Sequence, residues 1–309
     1  MRMPTILVGL KRDERRFLGL ARSVAVLISL LLLQPVEASW LRTNLPYCGG
    51  GSRVLDIAVP DGYQTFPAIV FIHGGGWKDG DKEAFLPAIQ FAAEQGFVGV
   101  AINYRLTGEE PWPAQINDVK CAVRWLRAKA WLHKINSKQI AALGTSAGGH
   151  LALLLGFTEK SDGLEGNGGY SRYSSKVNSV STVGGPTDLR ALYEYALAVG
   201  DWDGIVSLEQ FLGGSPETAY ENYLRASPTS YLRPSNSPVI VLHGGADARV
   251  PLSQAEQLSL GLANVEVHHQ PHVYPGAGHD LGIPDDPAQT AENQFDAFLR
   301  SLDFFRETP

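Results

Sequence analysis

Short apolar runs alternate along the chain with longer stretches whose apolar residues recur at helical spacing. Residues 53–59 alternate apolar and polar positions, the pattern of a strand with one wet face. Residues 68–72, 97–104 and 140–143 are short continuous apolar runs, as in strands covered on both faces. Residues 177–184, 239–243 and 265–274 are also strand-like. Between them, residues 115–131 carry the apolar residues Ile116, Val119, Val123, Trp125 and Leu126 at helical spacing. A helix opens at Ser146, and two more cover residues 252–263 and 288–302. Strands alternating with helices predict a mostly parallel sheet with helices on both faces, with residues 53–59 as an antiparallel edge.

That rhythm breaks between about residues 185 and 238. Helical stretches at 189–197, 208–212 and 218–224 are separated there by Gly, Ser and Pro. A long insertion between two strands predicts a small helical cap over the C-terminal edge of the sheet, within the same domain. No repeat, heptad or low-complexity tract is present.

The first 38 residues have another character. Lys11, Arg12, Arg15, Arg16 and Arg22 precede an apolar run over 24–33, then a Gln34-Pro35 break and the small-residue pattern Val36-Glu37-Ala38. This is the layout of a signal peptide cleaved after Ala38, and it predicts an exported protein whose single domain is residues 39–309. The apolar run falls short of the roughly 20 residues a membrane span needs, so no stable span is expected after cleavage. Six of the 26 Lys/Arg and three of the 32 Asp/Glu precede residue 39, leaving a formal charge near −9. An acidic chain without a basic run repels phosphate backbones, which excludes nucleic acid as an expected partner. Export would permit a disulfide, and Cys48 and Cys121 are the two cysteines. Spacing leaves open whether they are bridged or are separate thiols.

The chemistry gathers where strands end. Gly144-Thr145-Ser146-Ala147-Gly148 fits G-x-S-x-G between a buried-type strand and a helix, which predicts Ser146 as a nucleophile on a tight turn. His73-Gly74-Gly75-Gly76-Trp77 follows the strand at 68–72 and offers glycine amides for a developing oxyanion. His73 is expected to brace that loop, while Trp77 and Trp112 suit either the lining of a substrate pocket or buried packing. The amide of Ala147 is the second expected oxyanion donor. A serine needs a base, and the base needs an orienting acid. Of eight histidines, His279 lies in the glycine-rich loop between the final strand and the last helix, the position expected of the base. Asp247 follows the strand at 239–243 and is the expected acid, with Asp280, Asp285 and Asp286 as rivals. The adjacent His268 and His269 lack metal-ligand spacing, so neither metal nor cofactor is expected.

Together with Asn103-Tyr104-Arg105 and Gly185-Pro186-Thr187-Asp188-Leu189, these motifs resemble the α/β-hydrolase superfamily. Within it the chain is similar to esterases related to hormone-sensitive lipase and to the bacterial bifunctional feruloyl and acetyl-xylan esterases. The resemblance runs from about residue 50 to the end. It implies an α/β-hydrolase fold, Ser146 as nucleophile, His279 as base, Asp247 as acid, and oxyanion donors from Gly75, Gly76 and Ala147. The expected substrate is a small-molecule or saccharide ester carrying a small acyl or aromatic-acyl group, such as an acetyl or feruloyl ester of plant polysaccharide. Lipase-like relatives often carry a substantial N-terminal cap. Little precedes the strand at 53–59 here, which argues against a long-chain triglyceride pocket. Competing readings are an arylformamidase, which shares the His-Gly-Gly-x-Trp loop, an aminopeptidase of the prolyl-oligopeptidase type, and a non-catalytic binding protein. The sequence leaves oligomeric state open.

Overall fold

A computed structural model describes residues 38–309, so the signal-like segment, Ala38 apart, lies outside the described residues. Its strands are β1 Ala38–Pro46, β2 Val54–Pro60, β3 Phe66–Ile72, β4 Val98–Ile102, β5 Ile135–Thr145, β6 Val180–Val183, β7 Val239–Gly244 and β8 His269–Tyr274. They form one sheet in the order β1-β2-β4-β3-β5-β6-β7-β8. β3 through β8 run parallel, while β1–β2 and β2–β4 are antiparallel. Helices α1 Leu86–Glu94, α2 Ala114–Ala128, α3 Ala147–Phe157, α7 Leu252–Asn264 and α8 Pro287–Glu307 connect or follow the strands. The segment between β6 and β7 carries α4 Leu189–Val199, α5 Trp202–Leu212 and α6 Tyr220–Ala226. Eight mostly parallel strands flanked by helices make this an α/β-hydrolase fold.

Period-two alternation decides which helix each strand residue meets. Ala68, Val70 and Ile72 of β3 join the larger core with α2, α3, α7 and the inserted helices. Ile69 and Phe71 point the other way, into a smaller core with α1 and α8. Near-continuous apolar runs are therefore what these central strands require. α3 is buried along its whole length, Leu151 through Leu155 being fully inaccessible, so it shows no polar face.

Two expectations are corrected. The strand at 53–59 appears as β2, but it is not the edge: β1 lies outside it. β1 escapes a pattern reading because residues 41–44 are all exposed and its register shifts twice, which erases the alternation. The strand at 265–274 starts only at His269, because Val267 N–H still bonds to Leu262 at the end of α7. α1 went unpredicted, although Pro87 in its first turn is a helix-start signal.

The cysteine question is settled by contact. Cys48 and Cys121 form a disulfide between the turn after β1 and α2.

Candidate active site

Ser146, Asp247 and His279 stand beyond the C-terminal ends of β5, β7 and β8, the edge where open parallel sheets bind ligands. Ser146 has φ 52° and ψ −123°, a conformation held by its surroundings. β5 must turn at once into α3, so the flanking backbone crowds. A Cβ on Gly144 would lie 2.1 Å from the carbonyl oxygen of Gly148, and one on Gly148 would lie 2.0 Å from that of Ile72. Only glycine fits at either place, which is the local reason for G-x-S-x-G.

His279 joins the other two. Its Nδ1 lies 2.8 Å from Asp247 Oδ2, and its Nε2 lies 2.8 Å from Ser146 Oγ. An ionised carboxylate only accepts, so Nδ1 carries the proton and Nε2 is left to accept from the serine hydroxyl. Asp247 Oδ1 accepts from the backbone amides of Arg249 and Val250, both at 2.9 Å. Burial pushes the Asp247 carboxyl up, but the hydrogen bond and charge of His279, with those two amides, together hold it below the ordinary carboxylate range. It is an ionised acceptor at neutral pH. The rival acids turn elsewhere: Asp280 bonds to the Gly282 amide, and Asp286 caps α8.

The glycine run passes directly beside the serine, since a Cβ on Gly74 would sit 3.1 Å from Ser146 Cβ. Gly75 and Gly76 have φ of 104° and 56°, which turns the loop back on itself. Among the described residues their amides donate to no backbone carbonyl. The Ala147 amide belongs to the first turn of α3, where helix geometry leaves N–H groups without partners. His73 braces the loop as expected: Nδ1–H donates to Gly74 O at 2.8 Å, and the ring stacks on Tyr104 at 4.4 Å. Asn103 holds the adjoining turn through Asp81 and the Lys82 amide, while Arg105 pairs with Asp118. Thus Asn103-Tyr104-Arg105 is a scaffold under the glycine loop.

Of the two readings of Trp77, the structure rejects the pocket wall and takes buried packing: its indole is 3% exposed and stacks on Phe211 of α5 at 4.3 Å. Its Nε1–H donates to His150 Nδ1 at 3.2 Å, and His150 Nε2–H donates to Ala226 O at 2.6 Å. With φ 59° the residue ends the glycine run, and its ring turns inward to hold the loop against α3 and the inserted helices.

An open cavity of about 970 Å³ meets Ser146 and His279, near the upper end of the range for small-molecule sites. On one side it is charged: Lys78 pairs with Asp203 of α5 at 2.8 Å, and Arg249 approaches Asp203 at 3.9 Å. On the other side it is apolar, running over Phe71, Leu143 and Val183 between α1 and α8. Sequence reasoning missed both walls, for their residues lie far apart in the chain with no local motif. Among the described residues, no group of three or more His, Cys, Asp or Glu could hold a metal ion, and no helix is long and apolar enough to cross a membrane.

Comparisons with known proteins agree with this architecture. A family model described as BD-FAE matches residues 55–262, and the dienelactone hydrolase family model matches residues 218–308. The probable carboxylic ester hydrolase LipM of Mycobacterium tuberculosis is 32% identical over 212 residues, covering 68% of this chain and 47% of LipM. Esterase LipC of the same organism is 30% identical over 251 residues, covering 79% of this chain and 60% of LipC. The chain thus spans about half the length of the curated relatives it matches. Among solved structures, a truncated carbohydrate esterase from gut microbiota superposes with TM-score 0.75 at 26% identity, covering 88% of this chain and 97% of that one. A bifunctional GH43-CE protein from Bacteroides eggerthii gives TM-score 0.73 at 29% identity, over 87% of this chain and 35% of that one. With the BD-FAE match covering about two thirds of its residues, the chain belongs to the BD-FAE family of α/β-hydrolases.

Proposed function

We propose that this protein is a serine carboxylesterase that cleaves esters of small acyl or aromatic-acyl acids, with a saccharide or other polar alcohol as leaving group. The observation that carries the reading is the continuous hydrogen-bonded line from Ser146 through His279 to Asp247, beside the Gly75 and Gly76 amides. His279 Nε2 takes the serine proton as Oγ bonds to the ester carbonyl carbon. Charge moves to the carbonyl oxygen, where the amides of Gly75, Gly76 and Ala147 serve as donors. The C–O bond to the alcohol then breaks, the alcohol oxygen takes the proton from His279, and an acyl group remains on Ser146. Water reverses these steps, giving up a proton to His279 and releasing the acid.

Relatives named as esterases, and a structural neighbour named as a carbohydrate esterase, support the reaction and the polar alcohol. So does the Lys78–Asp203–Arg249 wall, whose charged groups can hydrogen-bond to sugar hydroxyls. Hydrolysis of p-nitrophenyl acetate, with formyl-kynurenine and aminoacyl amides as competing substrates, tests it. Ser146→Ala is expected to lower kcat by at least about 10⁴-fold with folding unchanged. Equal turnover in that variant, or amide cleavage outrunning ester cleavage, overturns the reading.

A further inference from the structure

The triad occupies one end of the parallel strands, and a second cavity, of about 340 Å³, lies at the other, where β5, β6 and β7 begin. Three cations line it: Arg127 in the last turn of α2, Lys138 near the start of β5, and Lys176 ahead of β6. Arg127 is fixed in place. Its Nε donates to Ser137 O at 3.0 Å, and its two terminal nitrogens donate to Ser174 O and Lys176 O, both at 2.6 Å. Lys176 Nζ donates to Ser235 O at 2.7 Å. All of these acceptors are neutral carbonyls, and no carboxylate among the described residues pairs with Arg127, Lys138 or Lys176. Glu159, which reaches the same segment, is taken by Ser235 Oγ at 2.8 Å and Arg233 at 3.8 Å. Burial lowers Arg127 from 12.5 to about 10, with no neighbouring charge to offset it. A chain of formal charge −6 thus gathers three cations without a counterion. A cation drawn partly out of water against neutral partners alone is costly, and an anion placed beside it relieves that cost.

We infer that this cavity binds a hexuronate unit of an acidic polysaccharide, and so tethers the polymer whose esters the enzyme cleaves. The choice of a saccharide rests on the esterase reading above and deepens it. Three observations select the occupant. First, a guanidinium that spends three N–H groups on carbonyls keeps two, one on each terminal nitrogen, and these can serve the two oxygens of a carboxylate. Second, about 340 Å³ is near the lower end of small-molecule sites, which suits a ring with its substituents and leaves a bare inorganic anion loosely held. Third, no aromatic ring lines the cavity to stack a nucleobase, whereas hydroxyl and amide groups do line it. Asn178 Oδ1 accepts from the Ile140 amide at 3.0 Å, which leaves its Nδ2–H groups without a protein partner, and Ser174 adds a hydroxyl. Both can meet sugar hydroxyls. Eight residues of extended chain separate Lys138 from Ser146, so the two sites lie about 26 Å apart. A polymer anchored at one end of the sheet presents its esters to Ser146 at raised local concentration, a gain read in KM and not in kcat.

The test is calorimetric titration of the full chain with sodium glucuronate, glucose and inorganic phosphate, repeated after a small phosphonate has filled the Ser146 site. Glucuronate should bind with a Kd of millimolar order, equally well with and without the phosphonate, and glucose should not bind. Lys138→Glu and Lys176→Glu, both at exposed positions, should each weaken glucuronate at least about tenfold, and having two guards against one variant failing to fold. Raising salt should weaken it as well, since both lysines are open to solvent. In affinity electrophoresis, glucuronoxylan should retard the wild type, and neutral arabinoxylan should not. No binding of glucuronate, equal binding of glucose, loss of binding under the phosphonate, or a Kd unmoved by both variants overturns the proposal while leaving the esterase reading intact. Phosphate that binds in place of glucuronate assigns the cavity to phosphate anions and overturns it equally. The esterase reading fails on a separate readout, the absence of p-nitrophenyl acetate turnover and of phosphonate labelling.

Discussion

The two faces of the sheet are built to different standards of closure. On one face α3 lies without an exposed side chain between the strands, α2 and the inserted helices. The Cys48–Cys121 bridge joins that same core. On the other face α1 and α8 meet through ring contacts of half-buried phenylalanines and leave a cleft. The proposed nucleophile sits at the junction: Ser146 caps the closed helix, while its hydroxyl faces the open side. Rigid packing behind a strained residue keeps it in place, and loose packing in front admits a ligand. The lesson is that stability and access are assigned to opposite faces, not traded within one core.

The sharpest way to break that contrast is to loosen the closed face. The disulfide spans 73 residues, and loop-closure entropy of that size corresponds to about 4 kcal/mol. Replacing both cysteines with serine should lower unfolding free energy by about that amount in a denaturant titration. A change below about 1 kcal/mol would mean that the closed face owes little to the bridge.

A second stress is acid. Burial lowers His150 from 6.5 to about 4, so it stays neutral in the folded protein and accepts from Trp77. The unfolded chain binds a proton near pH 6.5 while the folded one does not. Stability is therefore complete above about pH 6.5 and is lost as pH falls toward about 4, by about 3 kcal/mol. His150→Asn should flatten the slope of Tm against pH in that window, and an unchanged slope would assign the acid sensitivity to other groups. The smallest effect belongs to the open face. Phe295→Ala removes a ring already half in solvent, so it should cost less than about 1 kcal/mol of stability, read from the same titration. A loss near the 3–5 kcal/mol of a buried Phe would show that the cleft is closed in solution.

Much of this was legible in the sequence, and the reasons are local. Ser146 announces itself because a strand-to-helix turn that tight admits only glycine at 144 and 148. His279 and Asp247 could be chosen because each follows a buried-type strand in a glycine-rich loop. What stayed hidden depends on distant contacts. The exposed residues of β1 carry no alternation, so its pairing with β2 has no sequence trace. Cys48 and Cys121 could not be paired without knowing that α2 passes the turn after β1. Trp77 stayed undecided because a tryptophan after a glycine run suits a pocket wall as well as an anchor. Its partners, Phe211 and His150, lie 134 and 73 residues away.

That anchor bears on how specificity in such proteins can be changed. Trp77 holds the glycine loop by stacking on Phe211, and Lys78 next to it reaches Asp203, so two neighbouring loop residues are fastened to α5. The segment that carries the proposed alcohol-side wall is also a splint for the backbone amides proposed to meet the carbonyl oxygen. A transplanted segment has to bring an aromatic ring at position 211 and a carboxylate at position 203, or selectivity and turnover will shift together.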